Sequence, residues 1–317
     1  MPPHRILITG AAGFVGRRLS RALLRQYPGV RLVGLRRDPP TGQASNWIVG
    51  DVRDRTVLVD AVRRLQPDLV IHLAGQASVA ACERDPLSAW DVNVSGALSL
   101  AHALNAAGCQ ATLMAISSAE VYGARFNEGP CNETTQPLPL SVYGRSKLAA
   151  EHLLQDAYKG RLIIARPFNH TGPGQDERFA LAGFSAQIAR MEQGRQAPVL
   201  KVGNLAVTRD FLHVDDVIGA YCALILRADV LPDRSTFVVA SGVPISLASL
   251  VQGLQTQARV EFSIVPDSAR MRSTDIATMV GDSAALQAAT GWRPLHDARD
   301  IASDLLRYWR TRVRLFG

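Results

Sequence analysis

The chain of 317 residues is 47% hydrophobic and 20% charged, enough to bury a large core in one large domain or two unequal ones, so extended disorder is excluded. Its net charge of +7 comes from scattered residues, almost all arginine, with no lysine-rich tail and no basic block interleaved with aromatics, which favours a phosphorylated small molecule over nucleic acid as partner. Cys82, Cys109, Cys131 and Cys222 lie far apart with no Cys-x-x-Cys pair, and no apolar run approaches the ~20 residues of a membrane span, so the expectation is a cytoplasmic protein without metal, disulfide scaffold or membrane segment.

Arg5 to Thr9 reads as a short strand that leads at once into Gly10-Ala11-Ala12-Gly13-Phe14-Val15-Gly16 and an apolar-periodic segment, Leu19 to Leu24. Strand, glycine turn and helix in that order form a dinucleotide fingerprint. The glycines let backbone approach a pyrophosphate, and the amides and dipole of the helix N-terminus meet its charge. The second strand, Arg31 to Leu35, ends in Arg36-Arg37, where a carboxylate for an NAD ribose would stand. Two guanidiniums there suit the 2'-phosphate of NADP(H), with NAD(H) as the alternative.

Asp51-Val52 follows, then a helical segment to Leu65 and a buried strand from Asp68 to Leu73 that ends Ala74-Gly75-Gln76. Alternating strands and helices imply a parallel sheet, and small residues at a strand's carboxyl end suit a loop pressed against a ligand. His72, inside the apolar run, reads as a satisfied core histidine. Asp85-Pro86 punctuates a long helix containing Asn93 and Gly96, and the strand Thr112 to Ile116 ends in Ser117-Ser118-Ala119-Glu120.

Tyr143-Gly144-Arg145-Ser146-Lys147 then places a phenol and an ammonium four residues apart, on one face if the segment is helical. A nearby lysine favours the phenolate and makes the phenol usable as an acid or base. Ser118, Glu120 and this pair all belong at the ligand-binding edge of the sheet. There a hydroxyl, a phenol and a nicotinamide together can reduce a ketone. After the strand Leu162 to Ala165, the Pro- and Gly-rich run Arg166 to Gln175 replaces the regular alternation and marks where a substrate domain begins. Helices are expected over Phe179 to Met191, Val214 to Leu226 and Leu247 to Leu254, with a strand at Phe237 to Val239. Between them, Arg209 suits a phosphate clamp.

With these motifs assembled, the chain resembles the extended short-chain dehydrogenase/reductase family that acts on nucleotide sugars. The resemblance implies a Rossmann-type doubly wound parallel sheet over residues 1–166. It also implies a smaller α/β substrate domain over 167–317, some of whose segments return to that sheet. Carried over residue by residue, it implies cofactor contacts from Gly10, Gly13, Phe14, Val15, Gly16, Asp51, Val52, Leu73, Ala74, Gly75, Tyr143, Lys147 and Pro167. Asn93 is expected to support the lysine through water, and Ser118, Glu120, Tyr143 and Lys147 to form the catalytic set. Substrate contacts would come from Gln76, Ser118, Asn169, Lys201, Arg209, Arg272 and Asp275, with Ser273 standing where the family usually has proline.

Within the family, Phe168 to Gln175 and Lys201 to Leu205 with Arg209 to Phe211 look most like the branch that reduces GDP-linked 4-keto-6-deoxy sugars, here GDP-4-keto-6-deoxy-D-mannose to GDP-D-rhamnose. GDP-mannose 4,6-dehydratases and nucleotide-sugar 4-epimerases, which recycle their cofactor internally, are the alternative. The resemblance further implies a homodimer through the helices that begin near Ser88 and Tyr143.

Overall fold

A run such as Leu69-Val70-Ile71-His72, buried at every position, has no solvent-facing side and fits a parallel sheet covered on both faces. The computed structural model describes residues 2–39, 46–271 and 276–316 and builds that sheet. In chain order its first half runs β1 (Arg5–Thr9), α1 (Phe14–Gln26), β2 (Arg31–Arg36), β3 (Trp47–Val49), α2 (Arg55–Leu65), β4 (Leu69–His72), α3 (Val79–Arg84), α4 (Pro86–Trp90), a π turn (Asp91–Ser95), α5 (Gly96–Ala106), β5 (Thr112–Ile116), α6 (Val142–Ala157) and β6 (Leu162–Pro167). The second half runs β7 (Asn169–Thr171), α7 (Ala180–Met191), β8 (Val199–Val202), β9 (Thr208–His213), α8 (Val214–Arg227), β10 (Arg234–Val239), β11 (Pro244–Ser246), α9 (Leu247–Gln257), β12 (Ser263–Pro266), β13 (Thr278–Met279), α10 (Ala284–Thr290) and α11 (Ala298–Phe316).

Seven parallel strands in the order β10-β6-β5-β4-β1-β2-β3 make the large sheet, a Rossmann-type α/β fold. Residues of one strand alternate between its two faces. Ile6, Ile8, Ile163 and Ala165 face α1, α8 and α10, whereas Leu7, Leu162 and Ile164 face α2, α5 and α6. The order reverses between β1 and β4, which opens a crevice at their carboxyl ends.

The helix expected around Asp85-Pro86 is broken into pieces. Pro86 has no amide hydrogen to continue α3 and instead begins α4, where the Asp85 carboxylate accepts from the Ser88 amide at 3.1 Å. The Pro- and Gly-rich run after β6 contains a short strand, β7, paired in parallel with β9. Around β9 stand β7, β13 and β11, while β8 and β12 form a separate pair. A second core packs α7, α9 and α11, to which α11 contributes Ile301, Leu305, Trp309 and Val313 at helical spacing. Asp210 on β9 joins the two sheets: its buried carboxylate accepts from the Ser241 amide (2.8 Å) and hydroxyl (2.6 Å), the Gly242 amide (2.8 Å) and the Gly281 amide (3.3 Å).

Candidate active site

At the crevice, a cleft of about 200 Å³ is lined by Gly10, Ala12, Gly13, Arg36, Arg37, Asp38, Leu73, Ala74 and Gly75. Gly10 has φ +70° and lies so close to the end of β4 that a Cβ there would meet the Ala74 nitrogen at 2.7 Å. A Cβ on Gly16 would collide with the Gly10 carbonyl, so only glycine lets α1 start beneath the turn. No side chain caps α1 and no acidic residue stands in its first turn, which leaves its amides and positive end for an anion. Val15, half-buried at the start of α1, packs against the sheet core.

Arg36 ends β2 with its guanidinium 5.2 Å over the Trp47 ring, and its Nε is buried without a hydrogen-bond partner. Arg37 is exposed and only 3.9 Å from Asp38. Glycine cradle, uncapped helix and an unsatisfied guanidinium nitrogen together fit a phosphorylated dinucleotide. Asp51 and Val52 do not line the cleft: Arg53 binds the Asp51 carboxylate and holds it down to about 2, and Val52 is buried against α5.

Farther along the same edge lies the expected catalytic set. Ser118 follows β5 in extended backbone, and its hydroxyl accepts from the Glu120 amide at 3.2 Å. α6 starts at the Ser141 cap, whose hydroxyl accepts from the Gly144 amide at 3.0 Å. Gly144 has no Cβ because one would collide with the Glu120 carbonyl, so the first turn of α6 lies flush against the turn that carries Ser118. The Ser118 hydroxyl is close enough to the Tyr143 phenol to favour the phenolate, and the Glu120 carboxylate is close enough to disfavour it.

The phenol is not tuned as the spacing predicts. Burial pushes it well above the usual tyrosine value, and the nearby Ser118 hydroxyl offsets only part of this. Lys147, one turn on, donates instead to the Ile116 carbonyl, and burial pulls its ammonium down to about 8 against the upward pull of Glu151. His72 is a core histidine as read from the sequence: its Nδ1 pairs with the Thr9 hydroxyl at 2.8 Å, and burial lowers it to about 3.

Asn93 lies in the π turn and does not bond Lys147 directly. Its Oδ1 accepts from the Gln76 amide at 2.8 Å and its Nδ2 donates to the Ser146 hydroxyl at 2.9 Å, so it ties the loop after β4 to α6. Pro167 ends β6, and Asn169 begins β7. Phe14 stacks on His170 at 6.4 Å, which links α1 to that segment. Lys201 is exposed on β8. Arg209 is buried and donates to the carbonyls of Thr208 and Ile276 at 2.8 and 2.7 Å. Arg272 and Asp275 lie outside the described residues.

Sequence reading missed a buried network behind the site. The Glu151 carboxylate pairs with Arg166 at 2.6 Å and accepts from the Ser117 hydroxyl, and Arg166 reaches the Tyr122 hydroxyl at 3.1 Å. The available signal was Glu151 four residues after Lys147 on an otherwise apolar face.

The chain as a whole is similar to known proteins. The chain is 37% identical over 98% of its length, and 99% of the relative's, to the GDP-6-deoxy-D-mannose reductase of Pseudomonas aeruginosa. It is 28% identical to a UDP-glucose 4-epimerase of Yersinia pestis, with 97% of each chain covered. The solved structure of RMD from Pseudomonas aeruginosa complexed with NADPH superposes with a TM-score of 0.81 at 35% identity, covering 97% of this chain and 99% of that one. Residues 6–240 match the model of one family, and fold, cleft and Tyr-Lys helix agree with it: the chain belongs to the NAD dependent epimerase/dehydratase family, whose members are the extended short-chain dehydrogenases/reductases.

Proposed function

We propose that the protein is an NADPH-dependent reductase that converts the 4-keto group of GDP-4-keto-6-deoxy-D-mannose to the alcohol of GDP-D-rhamnose. The observation that carries the reading is the Ser118–Tyr143 hydroxyl pair beside a dinucleotide cleft, in a chain that matches a GDP-6-deoxy-D-mannose reductase over nearly its whole length. NADPH, when bound, supplies the hydride that goes to the carbonyl carbon.

The chain's residues do the rest. The Ser118 hydroxyl donates to the carbonyl oxygen as negative charge grows there, and Tyr143 delivers the proton. Because burial holds the phenol neutral, the proton is present when the alkoxide forms. The phenolate left behind faces the Ser118 hydroxyl and the Lys147 ammonium on the same face of α6. Arg36 and Arg37 would hold the 2'-phosphate, and the glycine turn with the α1 amides the pyrophosphate. Asn169, Gln76, Lys201 and Arg209 are the candidates for the sugar nucleotide. Arg272 and Asp275 join them on sequence resemblance alone. We assign residues 1–166 to the cofactor and 167–317 mainly to the substrate, with α8 and β10 returning to the large sheet.

Glu120 supports a second reading. A carboxylate beside the phenol is what a 4,6-dehydratase needs to drive loss of water. Incubation with GDP-4-keto-6-deoxy-D-mannose separates the two. A reductase consumes NADPH one for one with GDP-D-rhamnose formed, whereas conversion of GDP-mannose or a UDP-hexose without net NADPH loss selects the dehydratase or epimerase.

The exposed Leu87 (82%) and Trp90 (38%) on α4, next to α6, support a homodimer through this face. Its test is sedimentation of the purified protein. Among the described residues no helix is long and apolar enough to cross a membrane. The four free cysteines suit the reducing cytoplasm proposed for the protein.

A further inference from the structure

We propose that Glu151 is a positioning residue of the catalytic centre: clamped by Arg166, its carboxylate ties the strand end that carries Ser118 to α6 and sets the charge facing the Lys147 ammonium. The proposal deepens the reductase reading and rests on it for its kinetic test. Glu151 lies one turn beyond Lys147, so both side chains share the face of α6 turned towards β5 and β6. Arg166 grips it with Nε at 3.0 and 3.2 Å and Nη2 at 2.6 Å, and the two side chains are only 3% and 8% exposed.

Three parts of the site meet at this carboxylate. The Ser117 hydroxyl donates to it, and Ser117 immediately precedes Ser118. The Ser117 amide in turn donates to the Ala165 carbonyl at 2.8 Å, next to Arg166, which immediately precedes Pro167 at the end of β6. Apolar side chains of matching volume usually give at least as much stability as a buried ion pair, so stability alone is a weak reason to bury one here.

The charge argument points the same way. The titratable groups that act on Lys147 are His72 from β4, Cys82 from α3 and Glu151 from α6, and Tyr143 lies one turn before it on the same face of α6. Burial keeps His72 neutral, raises the Cys82 thiol to about 11 and holds the Tyr143 phenol neutral. Glu151 is therefore the anion that opposes the loss of the Lys147 proton to burial. Without it the ammonium disappears at lower pH, and more so while Arg166 remains charged.

The test uses the full-length protein with Glu151→Gln, Glu151→Asp and the double variant Glu151→Leu/Arg166→Leu. Three quantities are compared with wild type: the pH profile of kcat/KM for the keto sugar and NADPH, the pH dependence of NADPH affinity, and thermal unfolding. Glu151→Gln is expected to lose about tenfold or more in kcat/KM and to move its alkaline limb about one pH unit lower. Glu151→Asp recovers part of the loss. The double variant, with no buried charge left unpaired, folds yet keeps part of the shift.

A Glu151→Gln limb that coincides with wild type, or a double variant whose limb returns fully to wild type, overturns the proposal and leaves Glu151 as nothing more than the counterion of Arg166. Should Glu151→Gln fail to fold, the aspartate and double variants decide the same comparison. If wild type reduces no keto sugar, the functional reading has failed, and the pH dependence of NADPH affinity, which also needs a charged Lys147, still decides the role of Glu151.

Discussion

The phenol of Tyr143 is the residue on which the proposed chemistry turns, and burial, which favours its neutral form, suits a proton donor. Tyr143→Phe keeps the ring and its packing against Cys82 and Val142 while deleting the proton, so the fold should survive. Steady-state kinetics should show kcat reduced by about 10²–10⁴-fold, the usual worth of a positioned acid, with NADPH affinity nearly unchanged. At the other end of the cleft, Arg36 offers a guanidinium whose Nε has no partner and whose plane lies over Trp47. Its replacement by serine removes a charge-assisted contact worth about 1.5–3 kcal/mol, so KM for NADPH should rise roughly ten- to a hundredfold while KM for NADH moves little. Equal effects on the two cofactors would show that Arg36 does not contact the 2'-phosphate.

The elements that present these residues are joined by Asn93, which sits in a π turn between α4 and α5 and reaches both the loop after β4 and α6. Asn93→Ala would strand the Gln76 amide and take one donor from the Ser146 hydroxyl, at a cost of about 1–3 kcal/mol in denaturant unfolding. It should lower kcat/KM beyond what the stability loss explains, because the Gly75 loop and Lys147 lose their common anchor. The strands β1, β2, β4, β5 and β6 and the helices α1 and α6 were legible in the sequence, since unbroken apolar runs and a glycine turn obey local rules. The break at Pro86 was legible as punctuation, but the π turn at Asp91–Ser95 was not, because it shows only in how Asn93 reaches the loop after β4 and α6. β7 was hidden inside a Pro- and Gly-rich run: its partner β9 begins almost forty residues later, and pairing at that separation leaves no local pattern. The partner of the Lys147 ammonium, the Ile116 carbonyl, and the Glu151–Arg166 pair were hidden for the same reason: each depends on how α6 lies across two strand ends.

At the scale of the whole molecule, the proposed division of cofactor and substrate between the large sheet and the smaller one requires the two to hold a fixed relation. Asp210 carries much of that relation. It sits on β9, wholly buried, and its acceptors are filled by the Ser241 and Gly242 amides just after β10 and by the Gly281 amide just after β13. Burial pushes its carboxyl upward, and the donors around it pull the other way, as expected for an anion held in place by backbone amides. Asp210→Ala would leave several buried amides without acceptors and should destabilise the protein by about 3–5 kcal/mol, the range for breaking one side of a buried charged cluster. Asp210→Asn keeps one acceptor oxygen and should cost visibly less. If the sheets are coupled through this side chain, Asp210→Ala below its melting temperature should also raise KM for the sugar nucleotide while leaving NADPH affinity near wild type, because β1, β2 and the glycine turn lie on the far side of the sheet from β10. Equal losses in the two affinities would place the coupling elsewhere in the fold.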